Sequence, residues 1–203
     1  MICTDLHYFG TLSYYKGLIP TDILLFDTSI PFNKMSFKNR MVIASAQGPL
    51  HLSIPIVGGR DQKTSMDTIQ IANDIPWQTQ HFKSIYTNYK RAPYFDYYVE
   101  GLAALYQTRY NLLKDFLLAT QFWIKQQLKA KWDIQILSDE SIYTDLNKWS
   151  DPSKPNNFHL DIDTPCYQQV FEMHTGFIPN LCILDLIFAM GGKQALYMLG
   201  AKK

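Results

Sequence analysis

The chain has 203 residues, 47% of them hydrophobic and 18% charged, and its net charge is +1. This balance predicts a folded protein with one well-filled core rather than a disordered chain. The near-zero net charge argues against extended nucleic-acid binding, because such binding needs a basic excess to neutralise phosphates. The three cysteines lack CxxC spacing, and no signal peptide or membrane span is recognisable, so we expect a cytoplasmic protein without membrane insertion.

Short apolar runs predict β-strands, most of them in the first third of the chain. Ile23-Leu24-Leu25-Phe26 is continuously apolar, as in a strand that is buried on both faces. A hairpin is expected around Gln47-Gly48-Pro49, because alternating apolar residues follow this turn. The predicted strands cover residues 2–6, 23–26, 41–45, 50–57, 68–72 and 134–137.

Apolar residues at helical spacing predict four helices in the rest of the chain. We expect Asn73 or Asp74, Asn111 and Asn180 to act as N-caps, and Gly191-Gly192 to end the last helix. The predicted helices cover residues 76–90, 95–106, 113–128 and 181–190.

The segment from 138 to 165 is rich in proline, asparagine and aspartate, which predicts an irregular surface excursion. It is too close to the C-terminus to open a second domain. We therefore predict one α/β domain over residues 1–203, with a small mixed, partly parallel sheet flanked by helices and a helical C-terminal half.

Three segments have a characteristic order and spacing. The first contains Asn39-Arg40 and Ile54-Pro55-Ile56, the second runs from Trp77 through His81 and Asn88 to Phe95, and the third runs from Phe177 through Asn180 and Asp185 to Phe188. With these segments the chain resembles the WbqC-like protein family over nearly its whole length.

The resemblance implies a role in the biosynthesis of bacterial surface polysaccharide of the O-antigen type. It further implies an acyl transferase, with glycine as the transferred group, that acts on a sugar precursor without a cofactor. The expected partner is a small sugar or an activated acyl compound, and a homo-oligomer stays open. A non-catalytic sugar- or nucleotide-binding accessory protein and a nucleotidyl-type α/β enzyme are the alternatives.

His81 is the candidate general base, because imidazole titrates near neutral pH and His81 interrupts an otherwise apolar helix face. A core histidine bonded to a nearby carbonyl is the competing interpretation. Asp185 interrupts the apolar stretch 181–189 and needs a partner. An ion pair or a capping role is expected first, and orientation of a catalytic His81 or His174 second.

The candidate substrate-binding residues come from four stretches that we expect to surround one pocket. Arg40 can bind a carboxylate or phosphate with two donors, or it can pin its loop to Asp27. In parallel sheets ligands gather beyond the carboxyl ends of strands, so the loop at 7–15 and the loop after Asp27 are expected to meet over a cleft. Exposed aromatic packing is the alternative for the first loop. The full set is His7, Tyr8, Asn33, Lys34, Asn39, Arg40, Trp77, Asn88, Tyr89 and Asn180.

His159, Asp161 and Asp163 alternate along the chain in a way that resembles a hard-metal site. Without further matched ligands we favour a solvated edge and predict no metal. The sequence also contains no P-loop, GxGxxG, GxSxG or HExxH motif, which excludes the common nucleotide-binding, hydrolase and zincin signatures.

Overall fold

The computed structural model describes residues 1–33, 35–59, 64–137, 148–160 and 163–200. Among these residues, five strands and seven α-helices alternate unevenly along the chain. In chain order they are β1 (Ile2–Thr4), α1 (Leu12–Leu18), β2 (Ile23–Asp27), β3 (Arg40–Ser45), β4 (Gly48–Ser53), α2 (Trp77–Tyr89), α3 (Phe95–Gln107), α4 (Leu113–Leu128), β5 (Asp133–Leu137), α5 (Glu172–Thr175), α6 (Ile183–Met190) and α7 (Gly192–Met198).

A parallel sheet with strand order β1-β2-β5 lies at the centre of the fold. Leu24 of β2 pairs with Ile2 on one side and with Ile134 on the other. At the opposite edge of β1, Cys3 forms a parallel bridge with Lys148. The chain thus crosses the sheet from β1 to β5 and then returns to the outer edge of β1. Together with the antiparallel pair β3-β4, this confirms the predicted α/β class with a small mixed sheet.

The predicted strand at 68–72 is wrong. Met66–Thr68 forms a single 3₁₀ turn whose first N–H groups are capped by Ser65. Gln70 and Ile71 then make only isolated bridges, to Leu112 and Ile56 respectively. The alternation of apolar residues is present, but two isolated bridges do not extend into a ladder.

The loop predicted over residues 7–15 is partly wrong, because α1 begins at Leu12. The hydroxyl of Thr11 accepts a hydrogen bond from the Tyr14 backbone N–H and so caps this helix. Tyr14 and Tyr15 are fully buried on α1. Seven residues are too few for a helical spacing of apolar residues to be recognised. The adjacent aromatic residues of this helix obscure that spacing further.

The long helices α2, α3 and α4 match the prediction, but their predicted N-caps are wrong. Pro76 and Leu112 occupy the cap positions of α2 and α4, and neither makes a side-chain cap bond. Asn73 instead donates its side-chain amide to the backbone carbonyl of Tyr110, at 2.8 Å. The backbone carbonyl of Asn111 accepts from Ile71, so both asparagines tie the loops before α2 and α4 together.

Asn180 is likewise not the N-cap of α6, which is Cys182. Asn180 is fully buried and adopts a left-handed backbone conformation with φ of 56°. Its side chain accepts from the Ser13 backbone N–H at 2.8 Å and donates to the Phe158 carbonyl at 2.7 Å. It therefore joins three distant segments. The predicted stop at Gly191 is confirmed, since φ of 76° ends α6 there.

Gly192, at the start of α7, should not tolerate a larger residue. A Cβ at this position would overlap the backbone carbonyl of Gln127 on α4. We expect Gly192→Ala to lower the free energy of unfolding by about 2 kcal/mol, because the two helices must move apart. Urea unfolding measures this change, with Lys193→Ala at the exposed neighbouring position as the control. Equal stability of both variants would show that α7 does not pack this closely.

Only part of the irregular segment predicted at 138–165 can be compared with the structure, because residues 138–147 and 161–162 lie outside the described residues. Its other residues form turns and the single bridge at Lys148. None of the described helices has the length and apolar character needed to cross a membrane.

Candidate functional site

A polar hollow of about 430 Å³ lies beyond the carboxyl end of β1. One wall follows β1 and contains Asp5 and His7, and the opposite wall contains Asp151 and Lys154, which follow the bridge at Lys148. Because the strand order reverses between β1 and Lys148, this position is the topological switch point of the sheet, where open α/β sheets bind ligands. We call it the switch-point hollow.

His7 is the most unusual side chain of the switch-point hollow. It is 7% exposed, its ring stacks on Tyr14 at 4.1 Å, and its buried Nδ1 makes no hydrogen bond to a described residue. Burial lowers the pKa of His7 to about 4, although the carboxylates of Asp151 and Asp5 act to raise it. A buried polar group without a partner is costly in a native structure and commonly marks a ligand or water position.

Lys38 supplies a positive charge beside Asp5 in the switch-point hollow. Its side chain is only 2% exposed, and its ammonium lies 3.3 Å from the Asp5 carboxylate and 3.1 Å from the Pro31 carbonyl. An ammonium has three N–H donors, so two contacts leave capacity for one more. Lys38 is therefore fixed in place and still able to bind an acceptor.

Asp151 holds the second wall against the start of α1. Its carboxylate accepts hydrogen bonds from the hydroxyls of Thr11 at 2.5 Å and Ser13 at 2.8 Å, and from the Ser153 backbone N–H at 3.0 Å. Asp151 itself is buried. The bonds to Thr11 and Ser13 join two segments of the hollow that are about 140 positions apart in the chain.

The predicted site residues do not surround one pocket. His7 and Asn33 line the switch-point hollow, as expected from the strand ends, and Lys34 lies outside the described residues. Asn88 and His174 line a different hollow beside α2. The remaining candidates are mostly buried or engaged in the hairpin, namely Tyr8, Trp77, His81, Tyr89, Asn180 and Asp185 in the core, and Asn39 and Arg40 at the base of β3.

His81 lies at the centre of a buried hydrogen-bond chain. Its Nδ1 is 2.9 Å from the Tyr8 hydroxyl, which is in turn 2.5 Å from the Tyr106 hydroxyl, and the imidazole also bonds the backbone of Ser53. Burial lowers the pKa of His81 to about 4, partly offset by the bond to Ser53. These contacts are those of the core histidine that the sequence left as the alternative. Trp77 packs on the same group, with its ring centroid 5.4 Å from that of His81.

Arg40 and Asn39 close the base of the hairpin. The Nε of Arg40 donates to the Ser53 hydroxyl at 3.0 Å, so Arg40 and His81 contact the same residue. The side-chain amide of Asn39 donates to the Ile54 carbonyl at 2.9 Å. Arg40 and His81 thus both contact Ser53, and neither lines the switch-point hollow.

The predicted ion pair of Asp185 and its predicted histidine partner are both wrong for the described part of the chain. Its carboxylate accepts from the hydroxyls of Tyr89 at 2.8 Å and Tyr167 at 2.7 Å, and from the Gln169 amide at 3.1 Å. Burial raises the pKa of Asp185, while these three hydrogen bonds act to lower it. Tyr89 also accepts from the Ala44 backbone N–H. We call this group the Asp185 cage.

The predicted absence of a metal site stays a prediction. Within the described ranges no group of three metal-binding side chains is present, but Asp161 lies outside those ranges. The Asp163 carboxylate pairs instead with Lys16 at 2.7 Å; Asp163 is largely in solvent and Lys16 is partly exposed.

Sequence reasoning missed Asp5, Lys38, Asp151 and Lys154. Asp5 follows the first strand just as His7 does, so the strand-end rule could have identified it. Lys38 looked like an ordinary member of a polar loop. Nothing in the local sequence marks Asp151, because its partners Thr11 and Ser13 are near the other end of the chain.

The model of the WbqC-like protein family matches residues 7–152, a range that includes His7 and Asp151. The chain is also 22% identical to "Uncharacterized protein Rv1507c" of Mycobacterium tuberculosis, over 95% of this chain and 94% of that protein. No solved structure matches the chain significantly. Since the family model covers well over half of its length, the chain belongs to the WbqC-like protein family, as its characteristic segments predicted.

Proposed function

We propose that the chain acts in bacterial surface-polysaccharide biosynthesis as an acyl transferase, with a sugar precursor bound in the switch-point hollow. The observation that carries this proposal is the His7 Nδ1, unpartnered among the described residues, in a polar hollow at the reversal of strand order. Glycine is the acyl group that the family resemblance favours.

The charges of the switch-point hollow support an uncharged or zwitterionic ligand. Asp5 and Asp151 oppose Lys38 and Lys154, so the two signs balance among the lining residues. A sugar presents many hydroxyls, and the mixed donors and acceptors of this hollow can satisfy them. The stacked rings of His7 and Tyr14 add an aromatic element to the same wall.

In the proposed chemistry, His7 is the general base, the role that was predicted for His81. An amine of the sugar attacks the carbonyl of an acyl thioester donor, and the neutral imidazole of His7 takes the proton that the amine loses. The bond between the acyl carbon and the thioester sulfur then breaks, and His7 returns the proton to the leaving thiolate. Lys38, with one donor in reserve, stabilises the negative charge that develops on the carbonyl oxygen. His81 lacks this freedom because its ring is bonded to Tyr8 and Ser53.

The test compares two histidine variants in transfer of a radiolabelled glycyl group from a glycyl thioester to a free amino sugar. We expect His7→Phe, which keeps the stacking on Tyr14, to lose activity by about a hundredfold or more. His81→Gln should retain most activity in the fraction that folds, as judged by thermal unfolding. Full activity of His7→Phe would remove His7 from the mechanism.

One observation favours the non-catalytic alternative, a sugar- or nucleotide-binding accessory protein. Both carboxylates of the switch-point hollow are already bound, Asp151 by Thr11 and Ser13 and Asp5 by Lys38, as in a site built to hold its shape. An accessory protein shows no transfer but gains about 2.7 kcal/mol of stability at a ligand concentration of one hundred times Kd. Thermal unfolding with amino-sugar nucleotides measures this gain.

A further inference from the structure

A second hollow, of about 590 Å³, lies between the end of α2 and the segment 168–171. It also receives His174 from α5 and Met190 from the end of α6. None of the residues that line it belongs to the switch-point hollow. Its contents are therefore independent of the function proposed above.

The charges that line the second hollow are all basic among the described residues. Lys90 and Arg91 lie at its mouth, and neither makes an ion pair with any residue that the structure describes. His174 adds an exposed imidazole. Glu172, an acidic residue close in sequence, accepts a hydrogen bond from the Gln169 backbone N–H and lines a neighbouring depression instead. The whole chain has 19 basic and 18 acidic residues, so its overall charge does not account for the excess of basic residues around the second hollow.

The floor of the second hollow is apolar and its wall is held rigidly. Val170, Phe171 and Met190 supply partly exposed apolar surface. Gln169, only 6% exposed, fixes the wall by bonding the Ile178 backbone through both its amide nitrogen and its amide oxygen, at 2.8 Å each. The same amide donates to Asp185, so the wall is anchored in the Asp185 cage.

We propose that the second hollow binds an amphiphilic anion, with its phosphate or carboxylate held by Arg91 and Lys90 and its apolar part packed on Phe171 and Val170. A guanidinium binds either anion with two parallel hydrogen bonds, and an adjacent ammonium adds a compact charge. The apolar floor distinguishes this ligand from a free inorganic anion, which would leave that surface in water.

Calorimetric titration of the full chain with octyl phosphate tests the proposal, with octanoate, inorganic phosphate and 1-octanol as comparison ligands. Octyl phosphate or octanoate should bind at least about tenfold more tightly than inorganic phosphate or 1-octanol, because only these two engage both the cations and the apolar floor. The stronger of the two identifies the anion. Binding should weaken in about 0.5 M salt, since the cations are exposed.

The double variant Lys90→Gln/Arg91→Gln should weaken the tighter ligand by about tenfold or more. Lys83→Gln is the matched control, because it removes an exposed lysine from the same helix at a position that does not line the second hollow. Equal binding to the double variant and the control would overturn the proposal, as would equal affinity for octyl phosphate and 1-octanol. Neither result would bear on sugar binding at the switch-point hollow.

Discussion

Asp185→Leu is expected to lower the free energy of unfolding by about 4 kcal/mol. The leucine leaves the hydroxyls of Tyr89 and Tyr167 and the amide of Gln169 without their acceptor in a fully buried place. Each such unsatisfied donor costs about 1–3 kcal/mol, with partial relief where a donor can turn to another acceptor. Chemical unfolding in urea, read by tryptophan fluorescence, measures the loss.

Asp115→Leu is the matched control for the Asp185 cage. Both aspartates lie in the first turn of a helix, where a carboxylate stabilises the helix dipole, but Asp115 is exposed. We therefore expect a loss of at most about 1 kcal/mol for the control. Similar losses for the two variants would show that the cage contributes little beyond the dipole term.

Stability is expected to fall steeply as pH decreases from about 6.5 to 4. His7 and His81 have native-state pKa values lowered to about 4 by burial, against 6.5 for an unperturbed histidine. In that window the unfolded chain binds protons that the native state does not, so the free energy of unfolding rises with pH. Each histidine then accounts for about 3 kcal/mol that is present above pH 6.5 and lost near pH 4.

Urea unfolding at a series of pH values measures this dependence. His7→Phe should flatten the slope by about 1.4 kcal/mol per pH unit within the window, because one titrating group is removed. His159→Gln, at an exposed position, is the control and should keep the wild-type slope. A wild-type stability that stays constant down to pH 4.5 would mean that both imidazoles can be protonated in the native state.

Local patterns predicted those parts of the fold whose contacts are local. The apolar run Ile23 to Phe26 became β2, and the helical stripe of residues 113–128 became α4 with the predicted bounds. The cap predictions failed because the side chains of Asn73 and Asn180 bond to segments far along the chain, and because Asn111 lies one residue before the cap position of α4. Capping propensity describes which local hydrogen bonds a side chain can make. In this protein tertiary contacts determine the hydrogen bonds that are made.

The candidate site was only half predictable for a similar reason. The strand-end rule predicted that the loop at 7–15 and the loop after Asp27 meet over a cleft, and His7 and Asn33 both line the switch-point hollow. His81 was recognised as a polar residue on an apolar face, but its role depends on Tyr8, which is 73 positions away. The residues of the opposite wall could be predicted only if the pairing of Lys148 with β1 were known. No periodicity of the sequence encodes that pairing.

The return of the chain to the outer edge of β1 has a consequence for biosynthesis of the protein itself. A nascent chain that has left the ribosome as far as β5 already contains β1, β2 and β5 of the central sheet, yet it still lacks Asp151 and Lys154. Recognition of a small molecule at this edge can therefore begin only after the late segment has docked. Binding of the proposed ligand would therefore require synthesis past Lys154, whereas pairing of β1, β2 and β5 would not.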